Sequence, residues 1–471
     1  MTRYEQLAQD IKSQIENGVW RAGDKLPSVR ATCRTSGFSI ATVMQSYQLL
    51  ESQGWVTARP QSGYYVAPKP PEPSLPSTRE SLSQTDTVNI NDVLFDVLQQ
   101  TRKNDAIPLS SAFPDPELFP FKVLTRCMAS SGRKMAPKST VNNLPPGNDS
   151  LRRCIAQRYN LEGIHVLPDD IVVTSGAMEA LNLSLQVVTN PGDLVAVESP
   201  TFYGALQAIE RLKLKVVEIP SCPKSGIDLE MLDQALSTLP IKACWFMTNF
   251  QNPLGHTVPK EKKQKLVKLL CSHDVPLIED DVYSELYFDD TKPQPAKAFD
   301  SQHSVLHCGS FSKCLAPGYR VGWVVNRQYA KQLQRAQLMS TLSASMPTQL
   351  GIADYLQSGG YDTHLRKLRK TLKQRQQDFL KGLRAYLPEE VKVTSPKGGY
   401  FVWVEMPECV NAESIYTQLL EDNIGIAPGI LFSSDKHYAH HIRLNCSFEW
   451  DAQIEHAIRQ LGTRISEAIY N

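Results

Sequence analysis

Residues 307–323 read HCGSFSKCLAPGYRVGW. Lys313 stands among small and hydroxyl-bearing side chains there, with Ser310 and Ser312 just before it and Arg320 seven residues on. Hydroxyl donors and a planar guanidinium are the groups that hold a phosphate. A primary amine beside such a site can form a Schiff base with a phosphorylated aldehyde. Taken alone the lysine says little: the chain has 50 Lys and Arg residues, and most such side chains are solvated surface charges. Its neighbourhood is what singles it out.

A reactive lysine needs a scaffold to place it. From about residue 92 the sequence alternates short apolar strands with amphipathic helices. DIVVTSG, DLVAVESP, KACWFMTN, VPLIEDD, VLHCGSF and RVGWVV are strand candidates, and EALNLSLQVVT and KEKKQKLVKLLCSH are helical. This pattern predicts an α/β fold with a mainly parallel sheet covered by helices. Ligands of open α/β sheets bind outside the C-terminal strand ends, where several of these segments place polar residues. GGYDTHLRKLRKTLKQRQQDFLKGL predicts a long helix with a basic face, and GGYFVWVE and HHIRLNCSF a small α+β subdomain over about 350–471.

The start of the chain differs in texture. Leu7, Ile11 and Ile15 share one helix face. LPSVRATCRTSG predicts a second, short helix capped by Ser28 and ended at Gly37. FSIATVMQSYQLLESQG predicts a third, with Ser39 at its N-cap and Val43, Tyr47 and Leu50 facing inward. WVTARPQSGYYVAP alternates around a turn, as a hairpin does. Helix, helix-turn-helix and hairpin make a winged helix-turn-helix over 1–68. Residues 69–91 are rich in Pro, Ser and Thr and predict a linker to a domain over 92–471.

The bulk composition narrows the classes. A chain of 471 residues, 41% hydrophobic and 21% charged, is long enough for several domains with a sizeable core. A formal net charge of +1 leaves any nucleic-acid contact to a local patch. No apolar run approaches the roughly 18–20 residues of a membrane helix. The ten cysteines form no CxxC pair, so reduced thiols of a cytoplasmic protein are expected, with no metal site.

SFSKCLAPGYRVGW resembles the lysine motif of fold-type I pyridoxal 5'-phosphate (PLP) enzymes, the aspartate aminotransferase family. The resemblance extends along the chain. TSGAMEAL is similar to the turn that cradles the cofactor phosphate, which implies that role for Ser175, Gly176 and Ala177 at a helix start. PTFYG implies that Phe202 stacks on the pyridine ring, and NPLG implies that Asn252 bonds the ring oxygen. IEDDVY implies a carboxylate, Asp280, on the pyridine nitrogen and Tyr283 on the ring oxygen. HIRLN implies that Arg443 binds a substrate carboxylate. Each residue has a bland reading: a loop carboxylate, a core aromatic, a surface ion pair. Five or six such accidents in order, each at a strand end, are far rarer than one cofactor site. Many relatives carry a tyrosine, as Y-x-x-x-x-G, that reaches the phosphate across a homodimer. Asn142 holds that place in NNLPPG, so the cross-subunit contact departs from the pattern.

The N-terminal segment resembles the GntR family of winged-helix regulators, through GDKLPSVR, S-x-x-TV and LLESQGWVTARPQSGYYV. The resemblance implies double-stranded DNA as partner. Arg30 matches a DNA-contacting arginine, and Ser39 and Thr42 match phosphate- and groove-facing positions. Arg59, in the wing, is placed for a phosphate or the minor groove. Ile40 and Met44 depart from the pattern, standing where many relatives have arginines. Ile40 suits a thymine methyl. The bland alternative packs both residues against another surface. Eight Lys/Arg against five Asp/Glu through residue 70 leave the segment only mildly basic.

A GntR-type winged helix, linker and aminotransferase-like domain together are similar to the MocR subfamily of bacterial regulators, and HLRKLR at 364–369 resembles a stretch common there. The expected function is a regulator that senses an amino acid, an amine or PLP itself through Schiff-base chemistry at Lys313. The alternative is a working aminotransferase with an amino-acid substrate.

Overall fold

The computed structural model of the chain describes residues 3–52, 54–59, 62–67, 75–85, 106–141 and 143–470, with isolated positions between 94 and 99. It divides into two compact units, Met1–Ser74 and Leu75–Asn471.

In the first unit, helix α1 (Arg3–Glu16) precedes α2 (Val29–Ser36) and α3 (Ile40–Ser52), and strands β1 (Val56–Arg59) and β2 (Gly63–Val66) pair antiparallel as a wing. Ser28 caps α2 by accepting from the Ala31 N–H at 3.2 Å, and Gly37 ends it in the left-handed conformation at φ 71°. Ser39 Oγ accepts from the Thr42 N–H and also lies 2.9 Å from the Thr42 hydroxyl, so the two tie down the start of α3. Leu7, Ile11, Leu26, Val43, Tyr47, Leu50, Val56 and Val66 form the core. Each fully buried side chain of this kind contributes about 1.5–3 kcal/mol. The buried Tyr47 hydroxyl is satisfied by the Pro27 carbonyl at 2.7 Å and by Thr32.

The second unit is built on a nine-stranded sheet. Along it run β3 (Ser83–Thr85), β6 (Lys215–Cys222), β5 (Leu194–Ser199), β8 (Ile241–Phe246), β9 (Leu277–Asp280), β10 (Val305–Ser310), β11 (Gly322–Val325) and β4 (Ile171–Thr174), and β7 (Gly226–Ile227) pairs off β6. The pairs β6–β5–β8–β9–β10 are parallel; β3 and β11 are antiparallel to their neighbours. Helices cover the sheet, so its strands are largely apolar, and β4 and β5 are buried at every position. A smaller sheet runs in the order β12 (Lys392–Val393), β13 (Phe401–Glu405), β15 (His441–Asn445) and β14 (Ala427–Pro428); the helix Ala412–Glu421 packs on β14, and the helix Ala452–Tyr470 packs on that helix and on the long helix Gly360–Tyr386.

Two features differ from the sequence expectations. Strand β6 is not singled out by pattern because Glu218 and Pro220 interrupt its apolar run, although Val216, Val217 and Ile219 are fully buried. The Pro/Ser/Thr-rich stretch 69–91 is not wholly a free linker. Within it Leu75–Thr85 belongs to the second unit and β3 adds to the edge of the large sheet, because Ser, Gln and Thr suit an edge strand that needs backbone pairing on one side only. Asn142 lies outside the described residues.

Candidate active site and DNA-facing residues

The chemistry-bearing residues follow the C-terminal ends of five strands that run in one direction. After β4, Ser175 and Gly176 lead into the helix Ala177–Val188. Gly176 has φ 93°, and a Cβ there would lie 2.4 Å from Arg320 Nη2, so the position requires glycine for both its backbone and its neighbour. After β5, Phe202 heads the helix Tyr203–Arg211, and a Cβ on Gly204 would strike its ring at 2.4 Å. After β8 comes Asn252; β9 ends on Asp280; β10 ends on Ser310, followed by Ser312 and Lys313. Arg320, itself in the left-handed region at φ 52°, turns back so that Nη2 donates to the Ser175 carbonyl at 3.2 Å and Nη1 to Ser312 Oγ at 3.4 Å.

Lys313, Asp280, Tyr283, Phe202, Ala177, Ser310, Ser312, Arg320 and Arg443 line one cavity of about 560 Å3. Ser175, Gly176 and Asn252 do not line it but hold residues that do: Asn252 Oδ1 accepts from Arg443 Nη1 at 3.1 Å. Arg443 comes from β15, the central strand of the small sheet, opposite Trp403 on one side and Ala427 on the other. It is fully buried, stacks on Phe401 at 4.3 Å and donates to the Ser110 carbonyl at 2.6 Å. Pattern reading missed the segment Ser110–Phe113. Lys313 Nζ donates to the Ala112 carbonyl at 2.7 Å and sits 4.2 Å from the Phe113 ring. Backbone acceptors leave no mark in side-chain types, and only the Ser-Ser-Ala-Phe-Pro run hints at an ordered turn there.

Burial sets the electrostatics. It lowers the Lys313 amine to about 7, helped by the Arg443 and Arg320 charges and opposed by Asp280. It raises Asp280 to about 7, helped by the neighbouring Asp281 carboxylate and opposed by Lys313. The opposite charges of Lys313 and Asp280 each favour the other's charged form, against the burial of both. Behind Asp280, Asp281 is held in its charged form despite burial by His307 Nε2 at 3.0 Å and by Asn249 at 2.9 Å. His307 Nδ1 meets the Tyr159 hydroxyl at 2.7 Å, and Trp323 Nε1 donates to that hydroxyl at 2.9 Å. This chain fixes the end of β9, and it was not read from sequence because its members lie far apart along the chain.

In the first unit Arg30, Ser39, Ile40 and Met44 are exposed, with Ile40 57% and Met44 43% accessible, and Thr42 is half-buried. Within this unit neither Ile40 nor Met44 is packed into the core. Arg59, at the end of β1, holds its guanidinium 4.3 Å from the Tyr65 ring on the wing.

A mostly parallel sheet with a buried lysine at its strand ends and a small sheet supplying an arginine defines an aminotransferase-like domain of fold type I, carried here beside a winged-helix unit. Comparison with known proteins agrees. Residues 115–461 match the model of the family "Aminotransferase class I and II", and residues 3–66 match "Bacterial regulatory proteins, gntR family". The chain therefore belongs to the class I and II aminotransferase family and carries a gntR-family unit ahead of it, the MocR arrangement. It is 51% identical over the full length of both chains to the HTH-type transcriptional regulator YdcR of Escherichia coli, whose own function is uncharacterized. It is 30% identical to aromatic-amino-acid aminotransferase 1 of Thermococcus litoralis, over 79% of this chain and 91% of that one. The kynurenine aminotransferase of Pyrococcus horikoshii, solved in complex with PMP, superposes with a TM-score of 0.76 at 29% identity, covering 81% of this chain and 95% of that chain.

The cofactor this family and its solved relatives indicate is PLP, and the residues present fit it. Asp280 Oδ1 and Asn252 Nδ2 are buried and, among the described residues, have no hydrogen-bond partner. An orphaned acceptor and an orphaned donor suit a pyridinium N–H and a ring oxygen. The volume suits a ligand of that size.

The burial of Lys313 has a measurable consequence. With its pKa lowered to about 7, Lys313 reaches the neutral, nucleophilic amine near neutral pH, where a lysine of ordinary pKa stays protonated. The rate of covalent PLP loading, followed by stopped-flow absorbance, is expected to rise with pH through a midpoint near 7. A midpoint above about 9 would show that Lys313 is not desolvated as described.

Proposed function

We propose that the chain is a homodimeric, cytoplasmic transcription regulator that binds double-stranded DNA through the first unit and senses an amino acid, an amine or PLP itself at Lys313. The observation that carries this reading is the union, in one chain, of a winged-helix unit with Ile40 and Met44 exposed at the start of α3 and a cavity lined by Lys313, Asp280 and Arg443. When bound, PLP supplies an aldehyde for the lysine amine and an electron-withdrawing ring. Around it Asp280 holds the ring-nitrogen proton, Asn252 Nδ2 and Tyr283 donate to the ring oxygen, and Phe202 covers a ring face. Ser310, Ser312, Arg320 and the helix start at Gly176–Ala177 take the phosphate. Lys313 Nζ would be placed to hold or carry a proton beside the ring, and Arg443 would take a carboxylate.

An effector shifts DNA binding only by its difference in affinity for the two states, commonly 5–150-fold, or about 1–3 kcal/mol. Fluorescence anisotropy on the protein's own promoter, with PLP and with each amino acid and common amines, tests the reading. Affinity unchanged at saturation by every ligand rejects it. Arg30→Ala is expected to weaken DNA binding about 10-fold while leaving the PLP spectrum intact; loss of both properties would show that the two units are not separable.

A second reading, an active aminotransferase, draws on the buried Arg443 and on the Lys313–Asp280 pair. It requires conversion of bound PLP to its amine form by an amino acid and recovery with a keto acid.

A further inference from the structure

Residues 67–114 lie between the two family matches, yet part of this stretch is fastened to the second unit. Leu75–Thr85 forms a strap across two sheets. The Ser77 N–H donates to Glu405 on β13 of the small sheet. Ser83–Thr85 pair with Val216–Glu218 on β6 of the large sheet. Leu82 packs against the apolar cluster of Leu194, Val217 and Ile219. Between these anchors Arg79 is buried, 8% exposed, and bonds Asp435 at 2.5 Å; its backbone N–H reaches the Tyr438 hydroxyl at 3.4 Å. Ser83 Oγ also donates to Asp435 at 3.3 Å, and the Thr85 hydroxyl meets Ser434 at 2.8 Å.

The charge of Arg79 favours the ionised form of a buried carboxyl. Glu218 on β6 is fully buried, and burial raises its pKa against the hydrogen bonds from Ser199 and Ser434 and the charge of Arg79. Glu218 Oε2 accepts from Ser199 Oγ at 2.6 Å, and Oε1 from the Ser434 N–H at 2.6 Å. Glu218 therefore ties together two chain segments, Ser199–Phe202 and Leu431–Asp435. The same two segments join directly where the Thr201 N–H donates to the Phe432 carbonyl at 2.8 Å. Their other ends, Phe202 and Leu431, line the Lys313 cavity. The strap thus grips from outside the two segments that shape the cavity from within.

We propose that Leu75–Thr85 is a coupling strap, with Arg79 its positioning residue: PLP in the cavity orders the Ser199–Phe202 and Leu431–Asp435 segments and so tightens the strap that continues into the DNA-binding unit. This rests on the sensing function proposed above and names its route. An element that two sites both bias is what linkage between them requires. A buried guanidinium bonded to Asp435 is a joint that one substitution can break, since removing one partner leaves the other without its hydrogen bond.

The test uses the full-length protein and PLP as the probe. Amide hydrogen exchange of the peptide spanning Ser77–Thr85 is expected to slow on the order of 5-fold or more at saturating PLP. Unchanged exchange overturns the proposal. In Arg79→Met, which keeps the aliphatic stem, and in the milder Asp435→Asn at a more exposed partner, the strap's response to PLP is expected to fall to near none. A spectral titration should show weaker PLP binding in Arg79→Met. Either variant responding as the parent does removes Arg79 from the route. If the exchange response is present but promoter affinity never changes with PLP or amines, the strap stands and the sensing function fails; the converse pattern overturns the strap alone.

Discussion

Lys313→Ala is expected to abolish covalent capture of PLP. After borohydride reduction the parent chain should keep the cofactor mass at Lys313, and the variant should keep none by intact-mass spectrometry. Non-covalent affinity should fall on the order of 10²–10³-fold, about 3–4 kcal/mol, and not vanish, because Arg320, Ser310, Ser312 and Asp280 remain in place. The fold should survive, since the side chain lines a cavity of about 560 Å3 and its loss leaves no sealed void. A further effect follows from charge. Lys313 lowers the Asp280 pKa, so its removal pushes that carboxyl higher still, and more of it is neutral at pH 7. A neutral carboxyl is a poorer partner for a protonated ring nitrogen, which makes the variant's residual PLP binding improve as pH rises. Retention of the cofactor mass in Lys313→Ala would place the reactive amine elsewhere.

How much of this was legible without coordinates depends on which physical signal each part leaves. The strands ending on Asp280 and Ser310 are short apolar runs that stop at polar residues, so the fold class and the side of the sheet that carries Lys313 could be read directly. The winged unit was legible for the same reason: Val43, Tyr47 and Leu50 repeat at helical spacing and all three are fully buried. The neighbours of Lys313 along the chain, Ser310, Ser312 and Arg320, were readable because they lie within one motif. The Ala112 carbonyl that holds Lys313 was not, because a backbone acceptor has no residue type. The chain Trp323–Tyr159–His307–Asp281 was not, because its members come from distant segments that only the sheet brings together. The strap was hidden by composition. Leu75–Thr85 has the polar, Ser/Thr-rich make-up of a free linker, and its order comes from the buried Arg79, the packing of Leu82 and an edge-strand pairing with β6.

The remaining large effect concerns Arg443. Its guanidinium is fully buried, flat on Phe401, and already bonded to the Ser110 carbonyl and Asn252 Oδ1. Arg443→Ala is expected to cost carboxylate-bearing ligands about 2–5 kcal/mol, roughly 30-fold to several thousand-fold, the range for removing one partner of a buried charged pair. Amines without a carboxylate keep their binding apart from a smaller, shared loss, because Asn252 and Ser110 lose a donor in either case. The ratio between an amino acid and its decarboxylated amine therefore isolates the carboxylate contact from the structural one. An equal loss for both ligands would make Arg443 a brace for Asn252 and the Ser110 segment, and a regulator unaffected by the change would respond to PLP alone. The same substitution removes a cation that lowers the Lys313 pKa, so the midpoint of covalent loading should move up from near 7. That shift reports on the field at Lys313 and needs no effector, which lets the electrostatic role of Arg443 be measured before its ligand is known.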